Sequence, residues 1–269
     1  MKLGFTTLGC PKWNLDKIAE FAGQNGFDGV ELRTSKDGVH LRQDAPVQEA
    51  ERVGKLFRSK GTRVFSLMAY PVFGSDDPAQ LAANRDLLLH VLDLAKAIGA
   101  DFVRTFGGEF TGRKTREKAL SDASTYLTPC AEKARKIGVA LGVETHDDWC
   151  DAANIRDLQR AVGGGLGAVW DFTNVVHHNG MSAAQQYAQL GPTVLYCHVK
   201  DSVKRADGKH HYVLVGSGEM PVREVVSLLR KDKRDIFLSL EHEKMWVPEL
   251  AEPEEALPAY VKFMRGLDR

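Results

Sequence analysis

Three carboxylates and one imidazole, each near the end of a short apolar run, are the residues of this sequence best suited to chemistry. Glu144 sits in VALGVET (139–145), Asp171 in LGAVWDF (166–172), His198 in VLYCHVK (194–200) and Glu241 at the end of IFLSLE (236–241). A single polar residue in such a place is ordinarily a solvated strand end. Four on successive runs ask for a shared cause. Carboxylates brought together repel one another unless a cation or shared protons lie between them. Three carboxylate oxygens and an imidazole suit one divalent ion, Mn²⁺ foremost, with Mg²⁺, Zn²⁺ or Co²⁺ as the other choices. Four protein ligands leave positions of an octahedral ion open to substrate oxygens or water.

The elements that must position these residues alternate along the chain. Strand candidates are 2–7, 29–33, 63–69, 101–106, 139–145, 166–172, 194–200 and 236–241. Amphipathic helix candidates are 15–24, 48–60, 78–98, 115–137, 154–162, 182–190, 221–230 and 254–267. Gly26, Gly61, Gly99 and Gly138 follow helices and supply the left-handed residue that stops them. Strands joined by helices pair in parallel. Eight such units over residues 1–269, with no linker or break in composition, predict one α/β domain, a (β/α)₈ barrel. A doubly wound sheet is the rival, weakened because no G-x-G-x-x-G follows the first strand. In the barrel, residues at the C-terminal strand ends form the active site, which is where the quartet falls. The segment 209–215, KHHYVLV, is expected to make a short β excursion.

Charge and composition narrow the function. Lys plus Arg equal Asp plus Glu at 36 each, so the formal net charge is 0, which weighs against a nucleic-acid partner. The four cysteines form no C-x-x-C pair, and no apolar run reaches membrane-spanning length. The start MKLGFTTLGCPKW reads as a strand rather than a secretion signal. The expected setting is the reducing cytoplasm, without membrane contact; a homo-oligomer is compatible with a barrel of exposed helices.

The fragments GFDGVELR, GVALGVETHDDW, AVWDFTN, CHVKD and LSLEHE occur in an order and strand context that resembles the xylose isomerase-like TIM-barrel superfamily. That group includes ketose 3-epimerases, hydroxypyruvate isomerase, inosose dehydratase and isomerase, and endonuclease IV. The resemblance spans essentially the whole chain. It implies one metal held by Glu144, Asp171, His198 and Glu241, with Glu144 and Glu241 also moving the proton on a sugar or polyol. Asn174 stands where the sugar epimerases carry a histidine, and Cys150 where ketose 3-epimerases tend to carry a further glutamate. ETHDDW is closer to the inosose dehydratase-like branch. The implied activity is therefore a metal-dependent isomerase or epimerase. The alternatives are a lyase or dehydratase acting on an inosose-like or 3-keto sugar at the same site, and, further off, an endonuclease IV-like phosphodiesterase. Endonuclease IV needs more strand-end histidines than this chain offers.

Other residues can be placed around that site. His146 shares parity with Glu144 and is a substrate-binding or acid–base candidate. Lys200 shares parity with His198 and could bind a substrate oxygen, or pair with Asp201 or Glu241. Glu31 could accept a hydrogen bond from a metal ligand, or pair with Arg104, itself a substrate-binding candidate. Trp13, Tyr70, Trp149 and Trp246 fall in strand-to-helix connections, where they could stack on sugar C–H faces or pack the rim; Trp13 is the expected substrate contact. His242 and Glu243 are expected to support the site, and His210 and His211 to be solvated. Gly107–Phe110 could let backbone approach a ligand or make a turn.

Overall fold

The computed structural model describes residues 1–267. Eight parallel strands close on themselves: β1 (Lys2–Thr6), β2 (Gly29–Ser35), β3 (Val64–Met68), β4 (Phe102–Thr105), β5 (Ala140–Glu144), β6 (Leu166–Asp171), β7 (Val194–Val199) and β8 (Phe237–Leu240). Each pairs with its sequence neighbour, and β8 returns to β1 with Phe5 beside Leu240. This is the expected (β/α)₈ barrel. The surrounding helices among the described residues are α1 (Leu15–Gln24), α2 (Val47–Ser59), α3 (Pro78–Ile98), α4 (Arg116–Ile137), α5 (Ala152–Val162), α6 (Phe172–Asn179), α7 (Ala183–Leu190), α8 (Val222–Lys231) and α9 (Pro253–Gly266). No described helix is long and apolar enough to cross a membrane.

Local chemistry sets the helix ends. Asp77 and Asp151 accept from the backbone N–H two residues on, at 2.9 Å each, and Ser182 with Gln185 forms a reciprocal capping box, each satisfying N–H groups that a helix start leaves orphaned. Gly99 and Gly138 close α3 and α4 at φ 86° and 74°, a conformation that costs a Cβ-bearing residue.

Two apolar clusters hold the barrel. The larger lies between strands and helices, with Leu88, Val91, Leu92 and Ile98 of α3 among its buried members; each such side chain contributes about 1.5–3 kcal/mol by burial. The smaller consists of Phe65, Val169, Tyr196 and Phe237, with Phe102 and Leu195 packed on it, all on strands. It plugs the barrel interior: the Phe65 and Phe237 rings stack at 3.9 Å. Gly4 and Gly167 make room for it, since a Cβ at Gly4 would come 2.7 Å from Phe65 and one at Gly167 2.4 Å from Leu195.

One feature differs from the sequence reading and one bears it out. Asp171 ends β6 and at the same time caps α6, accepting from Asn174 N–H at 2.8 Å. A helix thus follows the strand with no loop, and its β-branched and aromatic start, FTNVV, hides it in the pattern. The β excursion is realised as an antiparallel hairpin of Asp201–Lys204 with His210–Val213. The buried Asp201 carboxylate anchors the connection by accepting from the backbone N–H groups of Ser202, Gly216, Gly218 and Met220 at 2.8–3.1 Å.

Candidate metal centre

The strand ends bring Glu144 (β5), Asp171 (β6), His198 (β7) and Glu241 (just past β8) together, with one ligand atom from each within 4.8 Å of the others. All four are buried. His198 Nδ1 lies 3.3 Å from both Glu144 Oε1 and Glu241 Oε2. Asp171 Oδ1 is occupied by the helix cap, which leaves Oδ2 for the cluster. Asp171 Oδ2 and Glu144 Oε2 are fully buried with no partner in hydrogen-bond geometry, although cations face both. Three converging carboxylates, two of them with an unsatisfied oxygen, and an imidazole nitrogen are a donor set that fits a divalent ion.

A polar layer supports this ring from below. Glu31 on β2, buried completely, accepts at Oε2 from His198 Nε2 (3.0 Å) and Ser239 Oγ (3.0 Å), and at Oε1 from the Tyr196 hydroxyl and Ser66 Oγ (3.3 Å). With Nε2–H donated to Glu31, His198 turns Nδ1 toward the ring, where it faces Glu144 Oε1 and Glu241 Oε2 and, once it gives up its proton, is the nitrogen that can ligate an ion. This is the carboxylate–histidine arrangement that orients metal-ligating imidazoles. Of the two roles open to Glu31, the structure thus shows the hydrogen bond to His198. Arg104 pairs with Glu144 instead, Nε to Oε2 at 2.9 Å, and reaches Glu241 at 4.0 Å.

Two buried cations balance the carboxylates. The Arg104 guanidinium lies over the Phe106 ring at 4.0 Å and donates to the Ala69 carbonyl at 3.0 Å. Lys200 Nζ stands 2.8 Å from Asp171 Oδ2, 2.8 Å from Glu241 Oε2 and 3.1 Å from Glu243 Oε1. Its partners are thus Asp171, Glu241 and Glu243, and Asp201 is committed to the backbone. These neighbours set the charge states. Burial would raise Glu144, but Arg104 and His198 outweigh it and hold it below the usual carboxylate range. Burial pushes Asp171 up to about 6 against the pull of Lys200. Burial would lower His198 and Lys200, yet the surrounding carboxylates hold both well above their ordinary values.

The remaining candidates fall at different places. His146 follows β5, with Nδ1 2.9 Å from Asp147 Oδ1 and its ring 4.8 Å from that of Phe106, and stands at the mouth of the site. Trp13 packs on Phe21 beneath Lys17 Nζ, and lines a separate cavity of about 470 Å³ with Cys10, Lys244 and Met245. Trp149 is buried against Gly107 and donates to the Gly108 carbonyl at 2.8 Å, so the GGEF segment is a packed turn. His242 Nε2 donates to the Ala251 carbonyl at 2.8 Å, outside the ring. His210, expected in solvent, stacks on His177 at 3.9 Å between ring centres. Glu243 is the ring neighbour whose role the chain pattern understated: it follows Glu241 at the same parity, which was the available signal. Trp246, 55% exposed, lies over Arg33 at 5.6 Å, and Arg33 in turn over Tyr70 at 5.1 Å.

The comparisons with known proteins agree with this architecture. No curated protein matches the chain by sequence. Among solved structures it is similar to the IOLI protein with a binding zinc atom, at 19% identity and TM-score 0.81 over 99% of this chain and 98% of that one. It is similar to the probable 3-DHS dehydratase AsbF from Bacillus anthracis, at 19% identity and TM-score 0.78 over 98% and 99%. It is also similar to the 3-keto-D-glucoside 4-epimerase YcjR from E. coli, at 15% identity and TM-score 0.77 over 100% and 99%. At these identities the likeness is one of fold. The family model described as xylose isomerase-like TIM barrel matches residues 19–267, and the chain belongs to that family.

Proposed function

We propose that the protein is an enzyme that isomerises or epimerises a sugar or polyol by proton transfer beside a carbonyl, with one divalent ion held by Glu144, Asp171, His198 and Glu241, manganese foremost. The observation that carries this reading is the convergence of those four buried residues at the C-terminal mouth of the barrel. A divalent ion there supplies Lewis acidity toward a carbonyl oxygen and a neighbouring hydroxyl, which lowers the barrier to removing the carbon-bound proton. Glu144 and Glu241 stand at the two ends of the four-strand arc from β5 to β8. In this reading one carboxylate takes the proton and the other returns it on the opposite face. Arg104, held over the Phe106 ring, keeps Glu144 ionised for that task. Lys200 and His146 bind substrate oxygens, and Trp246 offers a face to sugar C–H groups.

An elimination on the same residues is the second reading. Lys200 and Glu243 beside the ring could hand a proton to a departing hydroxyl, and one structural neighbour carries the name of a dehydratase. A phosphodiesterase acting on nucleic acid is less well supported, given a formal net charge of 0 and one such ligand cluster among the described residues.

The test combines ion content with proton exchange. Protein purified without chelator should hold about one divalent ion per chain, reduced in Asp171→Asn. Keto sugars and inososes incubated in D₂O should exchange the C–H next to the carbonyl with wild type, and not with Glu144→Gln or Glu241→Gln. No ion bound after addition of Mn²⁺, Mg²⁺, Zn²⁺ or Co²⁺ would sink the reading.

A further inference from the structure

The donor atoms of the ring can be assigned one by one. Asp171 Oδ1 is taken by the α6 cap, and Glu144 Oε2 and Glu241 Oε1 face Arg104. His198 Nε2 is taken by Glu31. The atoms left to hold an ion are Glu144 Oε1, Asp171 Oδ2, His198 Nδ1 and Glu241 Oε2. Lys200 Nζ lies 2.8 Å from two of these four, Asp171 Oδ2 and Glu241 Oε2.

From this overlap we infer that Lys200 is a built-in counter-ion of the ligand ring, which a bound divalent ion displaces toward Glu243, so that ion binding delivers the ammonium to the mouth of the barrel. The inference rests on the reading of the ring as an ion site. Two cations cannot share the same pair of oxygens at hydrogen-bond distance without strong repulsion in a buried setting. Lys200 has somewhere to go. Glu243 Oε1 is already 3.1 Å away, and that carboxylate, 15% exposed, lies nearer solvent than Asp171 or Glu241. The Tyr212 ring stands 5.8 Å from Nζ on the hairpin side. The backbone need not follow. Asp201, the next residue, is pinned by four backbone N–H groups, while the four-carbon stem of lysine turns about single bonds. The ammonium thus neutralises the carboxylates when no ion is bound. With the ion in place it faces the space where substrate oxygens bind.

Calorimetric titration of chelator-treated protein with Mn²⁺ alone tests this, together with thermal melts. Lys200→Met should bind Mn²⁺ roughly tenfold or more tightly than wild type, because a competing charge is gone. Its chelator-treated form should melt lower and gain more on adding Mn²⁺. Glu243→Gln keeps the lysine but removes its receiver, and should bind Mn²⁺ several-fold more weakly. A third measurement needs no variant: reductive methylation of Lys200 in wild type, mapped by mass spectrometry, should speed up when Mn²⁺ is added. Unchanged or weaker Mn²⁺ binding in Lys200→Met, or unchanged binding in Glu243→Gln, or methylation that does not rise, overturns the displacement while leaving the ion site intact. Wild type that binds no divalent ion removes the site reading itself, and this inference with it.

Discussion

Replacing Glu31 tests the support of the proposed ion site separately from the residues proposed to ligate the ion. The carboxylate has four donors around it: His198 Nε2, Ser239 Oγ, Tyr196 OH and Ser66 Oγ. In Glu31→Gln the amide oxygen can face His198 and Ser239, with its NH₂ turned to the Tyr196 and Ser66 hydroxyls, which can accept. Every partner stays satisfied and only the charge assistance is lost, about 1–1.5 kcal/mol. Ion affinity should fall roughly tenfold, since 1.4 kcal/mol is a factor of ten. In Glu31→Ala the hydroxyls can pair among themselves, as Ser66 and Tyr196 already do at 3.0 Å. The His198 N–H cannot; it is buried and keeps no acceptor, a further ~1–3 kcal/mol. That variant should lose about 100-fold in ion affinity, the upper end for residues behind a metal ligand, and free its imidazole to turn. The assay is Mn²⁺ titration followed by calorimetry, with circular dichroism to confirm folding. A folded Glu31→Ala that binds Mn²⁺ like wild type would refute the assignment of Glu31 as the residue that orients His198.

Two further outcomes follow from buried charge. Arg104→Met leaves Glu144 facing an apolar side chain and should cost ~3–5 kcal/mol, seen as a fall of roughly 6–15 °C in melting temperature; Mn²⁺ should restore part of it, and a melting temperature within a degree of wild type would show that Arg104 does not balance the ring. His40 is buried, and burial pushes its imidazole from 6.5 down to about 4, partly opposed by the backbone at Cys10 and Trp13. Between those values the unfolded chain binds the proton and the folded one does not, so stability drops as pH falls, by about 2 kcal/mol near pH 5. Urea unfolding near pH 7.5 and pH 5 should show wild type losing that much more than His40→Leu; equal losses would place the acid sensitivity elsewhere.

Much of the architecture was legible in the chain itself. The eight strands and most helix bounds follow from periodicity, from Asp, Thr and Ser caps and from glycines such as Gly99 and Gly138, all of which act within a few residues. The quartet was legible too, because in a parallel barrel every strand end points to the same face, so Glu144, Asp171, His198 and Glu241 must meet. What sequence could not separate were alternatives of similar local cost. Glu31 could serve His198 or Arg104, and Lys200 could serve Asp201 or the ring. Trp13 and Trp246 look alike as loop aromatics, yet one is packed under Lys17 and the other is open at the mouth. The helix after Asp171 was hidden because the residue that ends the strand also caps the helix. Spacing along the chain therefore determined which residues lie on which element and which face. Only the tertiary structure decided which atom faces which, because that choice depends on the strand-to-strand register across the closed barrel and on which buried oxygens are already taken by backbone N–H groups.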